Sequence, residues 1–101
     1  MAEKLETLRS DIMGILIGGW EIKILNDMFP GMASVQEAAT SYESLLIRNI
    51  EEMPVSVLLE PFREMTGEML DYYEAIAVEH EGYKVARMAR EARKWKMEKT
   101  A

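Results

Sequence analysis

Apolar residues recur at steps of three and four along two consecutive stretches of this chain, and Pro54 separates the two stretches. Such spacing places side chains along one face of an α-helix, whereas a half-buried strand alternates at every second residue. Pro54 ends the first stretch, because a proline inside a helix removes a backbone hydrogen bond and clashes with the preceding turn. The spacing therefore predicts a mainly α fold whose helices pack through apolar faces.

The first stretch predicts a helix over residues 34–53. Ser34 and Glu37 have the spacing of a capping box, in which each side chain accepts a hydrogen bond from an orphan backbone amide at the start of a helix. Pro54 marks the end of this helix. Its inward-facing stripe comprises Val35, Ala38, Ala39, Tyr42, Leu45, Leu46, Asn49, Ile50 and Met53.

The second stretch has the a/d spacing of a helical seam over three heptads. Pro61 lies inside it, which is compatible with a new helix that begins there or with one longer helix that is kinked there. We favour a short helical turn from Val55 and a main helix from Pro61 to about His80. The seam comprises Val55, Leu58, Phe62, Met65, Met69, Tyr72 and Ile76. A seam packs one helix along another, so we expect a partner polypeptide to cover four of these residues, Phe62, Met65, Met69 and Tyr72.

The first thirty residues fit two structures. Apolar spacing is compatible with a helix from Ala2 to Met28, and the same segment has the pattern of a β-hairpin over residues 13–25 with Gly18 and Gly19 in the turn. We favour the helix, because an isolated two-stranded ribbon is marginally stable. In a helix, Gly14 and Gly18 would leave a shallow groove that another helix could approach closely.

Charge is divided unevenly along the chain. Residues 1–82 form an acidic body with sixteen Asp and Glu against five Lys and Arg, and residues 83–101 have seven Lys and Arg against two Glu, for a net charge of −6. Beyond Gly82 the spacing predicts an amphipathic basic helix that extends to about Lys99. We expect it to dock on an acidic protein surface, which a second copy could provide, with nucleic acid or an anionic membrane as the alternatives. The residues predicted to make these contacts are Lys84, Arg87, Arg90, Lys94 and Trp95.

Chain length bounds the architecture. A chain of 101 residues forms one domain at most, so we predict a single helical domain of three or four helices. Such a domain buries only about 60–65% of its unfolded surface, which leaves it marginally stable alone. Nine Met, two Trp and four Tyr supply ample apolar surface, and we therefore expect a homodimer.

Several classes of chemistry lack their residues in this sequence. It has no cysteine, one histidine and no glycine-rich phosphate loop. The sequence therefore cannot form disulfides, thiolate-bound metal sites or a cysteine nucleophile. A single histidine leaves little basis for a conventional Ser-His-Asp triad. No run without charge is longer than nine residues, as over residues 12–20, and a membrane-spanning helix needs about 20. We accordingly expect a cytoplasmic protein without a membrane span.

A row of carboxylates is the strongest candidate for a metal site. Glu60, Glu64, Glu68 and Asp71 follow at steps of four, four and three, which places them along one side of a continuous helix. Mg²⁺ would relieve the repulsion between them, because hard cations prefer carboxylate oxygens. The other interpretation is that the row is the solvated back of the helix. The candidate metal ligands are Glu64, Glu68 and Asp71.

The segment Glu68-Met69-Leu70-Asp71 resembles the Glu-x-x-Asp half of the metal site in all-helical nucleotide pyrophosphohydrolases of the MazG type. In that family a preceding helix supplies a Glu-Glu-x-x-Glu cluster. This sequence has Glu51 and Glu52 there, but it lacks the third carboxylate. The resemblance covers four residues and implies an all-helical fold with magnesium-dependent phosphohydrolase activity.

Three functional hypotheses follow from the sequence. The first is a non-enzymatic protein–protein interaction module, such as an adaptor, a chaperone-like factor or an accessory subunit, which acts through the apolar seam and the basic helix without a cofactor. The second is a magnesium-dependent, all-helical nucleotide pyrophosphohydrolase. The third is an accessory protein that binds nucleic acid through the basic helix.

Overall fold

The computed structural model describes the backbone of residues 2–100 and the side chains of residues 10–99. Over these residues the fold is all-α, with five helices and no strand. The mainly α prediction is confirmed, although the chain forms more helices than the three or four expected. The helices are α1 (Ala2–Met28), α2 (Ala33–Glu51), α3 (Val55–Glu64), α4 (Gly67–Glu79) and α5 (Tyr83–Thr100).

Helix α1 continues without a break through Gly18 and Gly19, so the hairpin over residues 13–25 is wrong. A Cβ atom on Gly19 would lie 2.3 Å from Tyr73 Oη and 2.6 Å from Leu46 Cδ2. The missing side chain of Gly19 thus allows close packing against α2 and α4 rather than a turn. The chain reverses direction after Met28 instead, where Gly31 adopts a φ of +82° that favours glycine.

Helix α2 agrees with the predicted helix over 34–53 to within two residues at each end. The predicted capping box is wrong, because the helix begins one residue earlier and Ser34 lies inside its first turn. Met32 occupies the N-cap position and provides no side-chain hydrogen bond. Pro54 ends the connection that follows α2 and is the N-cap residue of α3.

The predicted main helix from Pro61 to His80 is wrong, because the chain breaks at Met65 and Thr66. Pro61 is accommodated inside α3 and is buried. Met65 has an extended backbone conformation that ends α3, and Thr66 begins α4. Thr66 Oγ1 accepts a hydrogen bond of 3.2 Å from the amide of Met69, which is the geometry of an N-cap. A strong capping residue therefore starts a new helix here.

A Schellman turn connects α4 to α5. The amide of Gly82 donates to the carbonyl of Ala77 at 2.7 Å, and the amide of Glu81 donates to Val78. The left-handed position, with a φ of 63°, is occupied by Glu81 rather than by a glycine. Gly82 follows it, and a Cβ atom there would lie 2.4 Å from Ile47 Cγ2. Gly82 is therefore required for the approach of α2.

The core lies where α1, α2 and α3 meet the antiparallel pair of α4 and α5. Its buried side chains come from all five helices and form one cluster. Helices α1 and α2 form an antiparallel hairpin, and the end of this hairpin that carries the connecting turn exposes apolar side chains to solvent. The largest fully buried residues are Tyr73, Phe62, Ile12, Leu16, Ile47, Ile50, Leu58, Met65 and Leu70.

Candidate interaction surface

The four seam residues predicted to contact a partner are buried within the chain. Phe62 and Met65 are 1% and 0% exposed, and Met69 and Tyr72 are each 8% exposed. The ring of Trp20 on α1 packs edge-on against Tyr72 at 5.8 Å between centroids. The prediction that a partner covers these residues is wrong for this fold, because α1 and the neighbouring helices already cover them.

Two tyrosines at the centre of the core act as structural hydrogen-bond donors. Tyr73 Oη donates to the backbone carbonyl of Leu16 at 2.7 Å, and Tyr72 Oη donates to Glu43 Oε2 at 2.6 Å. Burial raises the pKa of Tyr73 well above its usual value. Burial, and then the hydrogen bond to the Glu43 carboxylate, raise the pKa of Tyr72 in the same direction. Both hydroxyls therefore stay protonated at neutral pH and tie α4 to α1 and α2.

The basic helix α5 is engaged mainly by the acidic helix of its own chain. Arg90 Nε lies 2.5 Å from Glu74 Oε2. Arg93 bridges two carboxylates, those of Asp71 at 2.5 Å and of Glu74. Attraction between the acidic body and the basic helix is thus realised within one molecule. Exposed pairs of this kind contribute little individually, about 0–1 kcal/mol each.

Of the other α5 residues predicted to contact a partner, some already contact groups of their own chain and some do not. Lys84 Nζ donates to the carbonyl of Met53 at 2.5 Å. Trp95 has two cations over its ring, Arg63 at 4.6 Å and Lys99 at 4.7 Å from the ring centroid. The half-buried indole is thus engaged by cations of its own chain. Arg87 and Lys94 are exposed, and within residues 10–99 the structure shows no salt bridge for either of them.

The structure does not bring the predicted metal ligands together. Glu64 is the last residue of α3 and Glu68 lies in the first turn of α4, so the break between the helices interrupts the row. Asp71 is paired with Arg93. Among the described residues no group of three or more acidic or histidine side chains is arranged to hold a cation. The regular spacing in sequence depended on a continuous helix that the chain does not form.

Glu51 has a structural role that the sequence did not reveal. Its two carboxylate oxygens accept hydrogen bonds of 3.0 Å from the backbone amides of Lys84 and Val85. These amides lie in the first turn of α5, where a carboxylate satisfies orphan donors and the helix dipole. The last residue of α2 thus caps another helix, 33 residues further along the chain.

We expect Glu51→Ala to lower the free energy of unfolding by about 1–2 kcal/mol, since it removes an N-cap from α5. Glu52 is exposed and lies next in sequence, so Glu52→Ala provides the matched control and should change stability by less than about 0.5 kcal/mol. Urea unfolding followed by circular dichroism measures both. Equal effects for the two variants would contradict the capping role.

An uncovered apolar surface lies on α1, on the side opposite the core. Ile12, Leu16 and Gly19 face the core and are buried. We call the residues at the opposite helical positions the outer face. Their side chains are exposed or partly exposed to solvent. The outer face comprises Gly14, Ile17, Gly18, Glu21, Ile24, Leu25 and Met28.

A groove between α1 and α2 adjoins the outer face. Its volume is about 690 Å³, and its apolar lining includes Ile15, Tyr42 and Leu45. A Cβ atom on Gly18 would lie 3.3 Å from Tyr42 Oη, so α1 and α2 are close together at this point. Phe29 and Met32, at the turn between the two helices, are exposed as well but do not line the groove. In the sequence, the signal for this surface was that apolar residues occur on every side of α1.

Comparisons with models of known protein families, with curated proteins and with solved structures find no match for this chain. Within the described residues, no helix combines the length and the apolar character needed to cross a lipid bilayer. The exposed apolar side chains of the outer face and its groove are therefore the main indication of function in the described part of the chain.

Proposed function

We propose that this protein is a non-enzymatic protein–protein interaction module, an adaptor or accessory subunit, and that it binds its partner through the outer face of α1 and the adjoining groove. One observation carries the proposal: nine large apolar side chains of this region are between 38 and 66% exposed. They are Ile15, Ile17, Ile24, Leu25, Met28, Phe29, Met32, Tyr42 and Leu45.

Exposure on this scale supports an interface rather than ordinary surface. Single exposed apolar residues are common, but a monomer rarely exposes contiguous apolar patches larger than a few hundred Å². The nine residues belong to one helical hairpin and to the turn that joins its arms, so this one region holds most of the exposed large apolar side chains among the described residues. A partner polypeptide would remove this surface from water, and the hydrophobic effect would provide most of the binding free energy.

The basic helix has a smaller role in this proposal than the sequence suggested. Its arginines Arg90 and Arg93 are held by acidic residues of α4. Arg87 and Lys94 are exposed positive charges that could attract an acidic partner, and rim charges of this kind influence association rate more than affinity. Contacts made by the uncovered hairpin therefore dominate the expected affinity.

Affinity capture with a matched pair of double variants tests the proposal. Leu25→Lys/Met28→Lys places two charges on the outer face. The control, Leu59→Lys/Val78→Lys, makes the same change at two exposed apolar sites of α3 and α4. We expect immobilised wild-type protein to retain a polypeptide from extract of its native cells, either itself or another chain. The outer-face variant should retain about 10-fold less, because each buried charge weakens an apolar contact.

Two outcomes would contradict the interaction module. One is that the wild-type protein retains no polypeptide and does not associate with itself. The other is that every retained chain binds the outer-face variant and the control equally well. Circular dichroism of both variants establishes that they remain folded.

A further inference from the structure

We infer that the groove between α1 and α2 binds the apolar face of an amphipathic helix of another protein, and that this helix carries lysine or arginine beside its apolar residues. The inference rests on the proposed function and names the kind of partner that the groove accepts. Two features carry it: the lining of the groove is mostly apolar, and the charges at its edge are carboxylates.

The groove has the size and the lining of a binding site for apolar side chains. Its volume is about 690 Å³, whereas a closed cavity of about 150 Å³ already accommodates benzene. Ile15, Tyr42 and Leu45 line it and are each 38–57% exposed, so they gain contacts when the groove is filled. Binding sites of this kind are mostly apolar, with a few polar groups that orient the occupant. Here those groups belong to Tyr42, Asn49 and Glu52.

A helix suits this groove better than an extended segment. An extended peptide binds by adding a strand to an open sheet edge, and the described backbone of residues 2–100 contains no strand that offers one. The groove lies between two helices whose backbone groups are paired within each helix. A helical occupant satisfies its own backbone in the same way and presents apolar side chains at steps of three and four.

The charges at the edge of the groove are negative. Glu52 lines the groove, and Asp11 lies one helical turn before Ile15 on the same side of α1. Both carboxylates are exposed, and neither forms a salt bridge within residues 10–99. Arg48 is the cation of α2, but it does not line the groove. A cationic side chain of the partner would pair with these carboxylates, whereas an acidic one would be repelled.

The other charges of the helical hairpin have the same sign. Lys23 is the cation among the described side chains of α1, and it pairs with Asp27 at 2.5 Å. Glu21 on the outer face and Glu37 on α2 are exposed carboxylates for which the described residues show no salt bridge. The acidic body as a whole has sixteen Asp and Glu against five Lys and Arg. A basic partner is therefore attracted from a distance as well as at the groove itself.

A second groove shows that this charge pattern is not uniform over the surface. It lies beside α3 and α5, has a volume of about 550 Å³, and its lining includes Lys84, Arg87 and Glu91. The cations of the basic helix are thus found at a different groove, and none of them lines the one between α1 and α2. An anionic partner, such as a phosphate backbone or an anionic lipid surface, is disfavoured at the groove between α1 and α2.

Two synthetic peptides test the inference. Each is about 18 residues long, or five helical turns, with leucine at the same helical positions. The remaining positions are lysine in one peptide and glutamate in the other. We expect the full-length protein to bind the lysine peptide about 30-fold more tightly at low salt, and the difference to narrow as salt screens the charges. Fluorescence anisotropy of labelled peptides measures both affinities, and equal affinities would overturn the basic partner.

Matched neutral variants show whether the lysine peptide binds in the groove. Leu45→Gln places an amide in the groove without a change in charge, and Leu59→Gln makes the same change at an exposed site of α3. We expect Leu45→Gln to raise the dissociation constant by about 10-fold and Leu59→Gln to leave it within about twofold, because only the first removes an apolar contact. Circular dichroism establishes that both remain folded. Equal binding by the two variants would contradict the groove as the site.

A second matched pair tests the carboxylates. Asp11→Asn/Glu52→Gln removes two charges from the edge of the groove, and Glu60→Gln/Glu64→Gln removes two exposed charges from α3. We expect the first pair to weaken binding of the lysine peptide by about 5–10-fold at low salt and the second by less than about twofold. Equal losses would mean that only the net charge attracts the peptide, and recognition by the carboxylates of the groove would be wrong.

The inference and the proposed function fail separately. If capture from extract identifies a partner that Leu25→Lys/Met28→Lys releases, while the lysine peptide binds no better than the glutamate peptide, the interaction module stands and the basic helix is ruled out as its partner. If the wild-type protein neither retains a polypeptide from extract nor associates with itself, the interaction module fails whatever the peptides do.

Discussion

Phe62→Ala is expected to lower the free energy of unfolding of a single chain by about 3–5 kcal/mol, which is the cost of replacing a buried phenylalanine with a cavity. Phe62 is 1% exposed and its ring lies 6.4 Å from that of Tyr73. A domain of this size has a total stability of only about 5–15 kcal/mol, so the variant should be close to unfolding at room temperature. Urea denaturation at micromolar protein concentration measures the effect.

Leu59→Ala is the matched control for this prediction. Leu59 lies three residues before Phe62 on the same helix and is 41% exposed. Its truncation should cost less than about 1 kcal/mol. Comparison of the two variants also shows whether the seam residues form the core of one chain or an interface with a partner. If Phe62→Ala unfolded like wild type and changed only an association constant, the seam would be a partner contact and the packing described above would be wrong.

Gly19→Ala is expected to destabilise the protein by about 2–3 kcal/mol, although alanine has the higher helix propensity. Overpacking costs about 1–3 kcal/mol, and displacement of Tyr73 also weakens its buried hydrogen bond to Leu16, at about 1–3 kcal/mol. The gain in helix propensity offsets about 1 kcal/mol of this loss. The melting temperature should fall by roughly 10–20 °C. Both the overpacking and the displacement of Tyr73 are expected because the new Cβ atom would lie 2.3 Å from Tyr73 Oη.

Gly14→Ala, five residues earlier on the same helix, should have the opposite sign. A Cβ atom there would have no neighbour within 4 Å, so only the propensity changes and the free energy of unfolding should rise by about 0.5–1 kcal/mol. Thermal unfolding should be recorded at several protein concentrations, because association would otherwise contribute to apparent stability. Stabilisation by both substitutions would contradict the close contact at Gly19.

Local rules accounted for much of the secondary structure. Spacing of apolar residues, with Pro54 as a stop, predicted α2 to within two residues, and the basic amphipathic pattern predicted α5. Such rules failed where a tertiary contact or a competing cap was decisive. The glycine pair in α1 was also compatible with a turn, although the helix was favoured, and Thr66 divided a helix that the a/d spacing made continuous.

The candidate site was harder to predict than the helices. Phe62 on α3 and Ile24 on α1 are both large and apolar, and nothing in their local sequence says which is covered by the chain. The capping of α5 by Glu51 connects residues 33 and 34 positions apart, and the pairing of Arg93 with Asp71 spans 22 positions. Interactions over such distances depend on how the helices meet, which periodicity does not encode.

By itself, the sequence determined that this chain is helical, that its acidic and basic parts are separate and that it has more apolar surface than a small core requires, because composition and 3.6-residue periodicity are local properties. Only the tertiary structure decided which of that surface is covered. Packing of α1 against the other helices buries Leu16 and leaves Leu25 exposed on the opposite side. The physical reason is that only one side of a helix can contact the core, and on that side Gly19 leaves room for Tyr73 and Leu46 beside the buried Ile12 and Leu16.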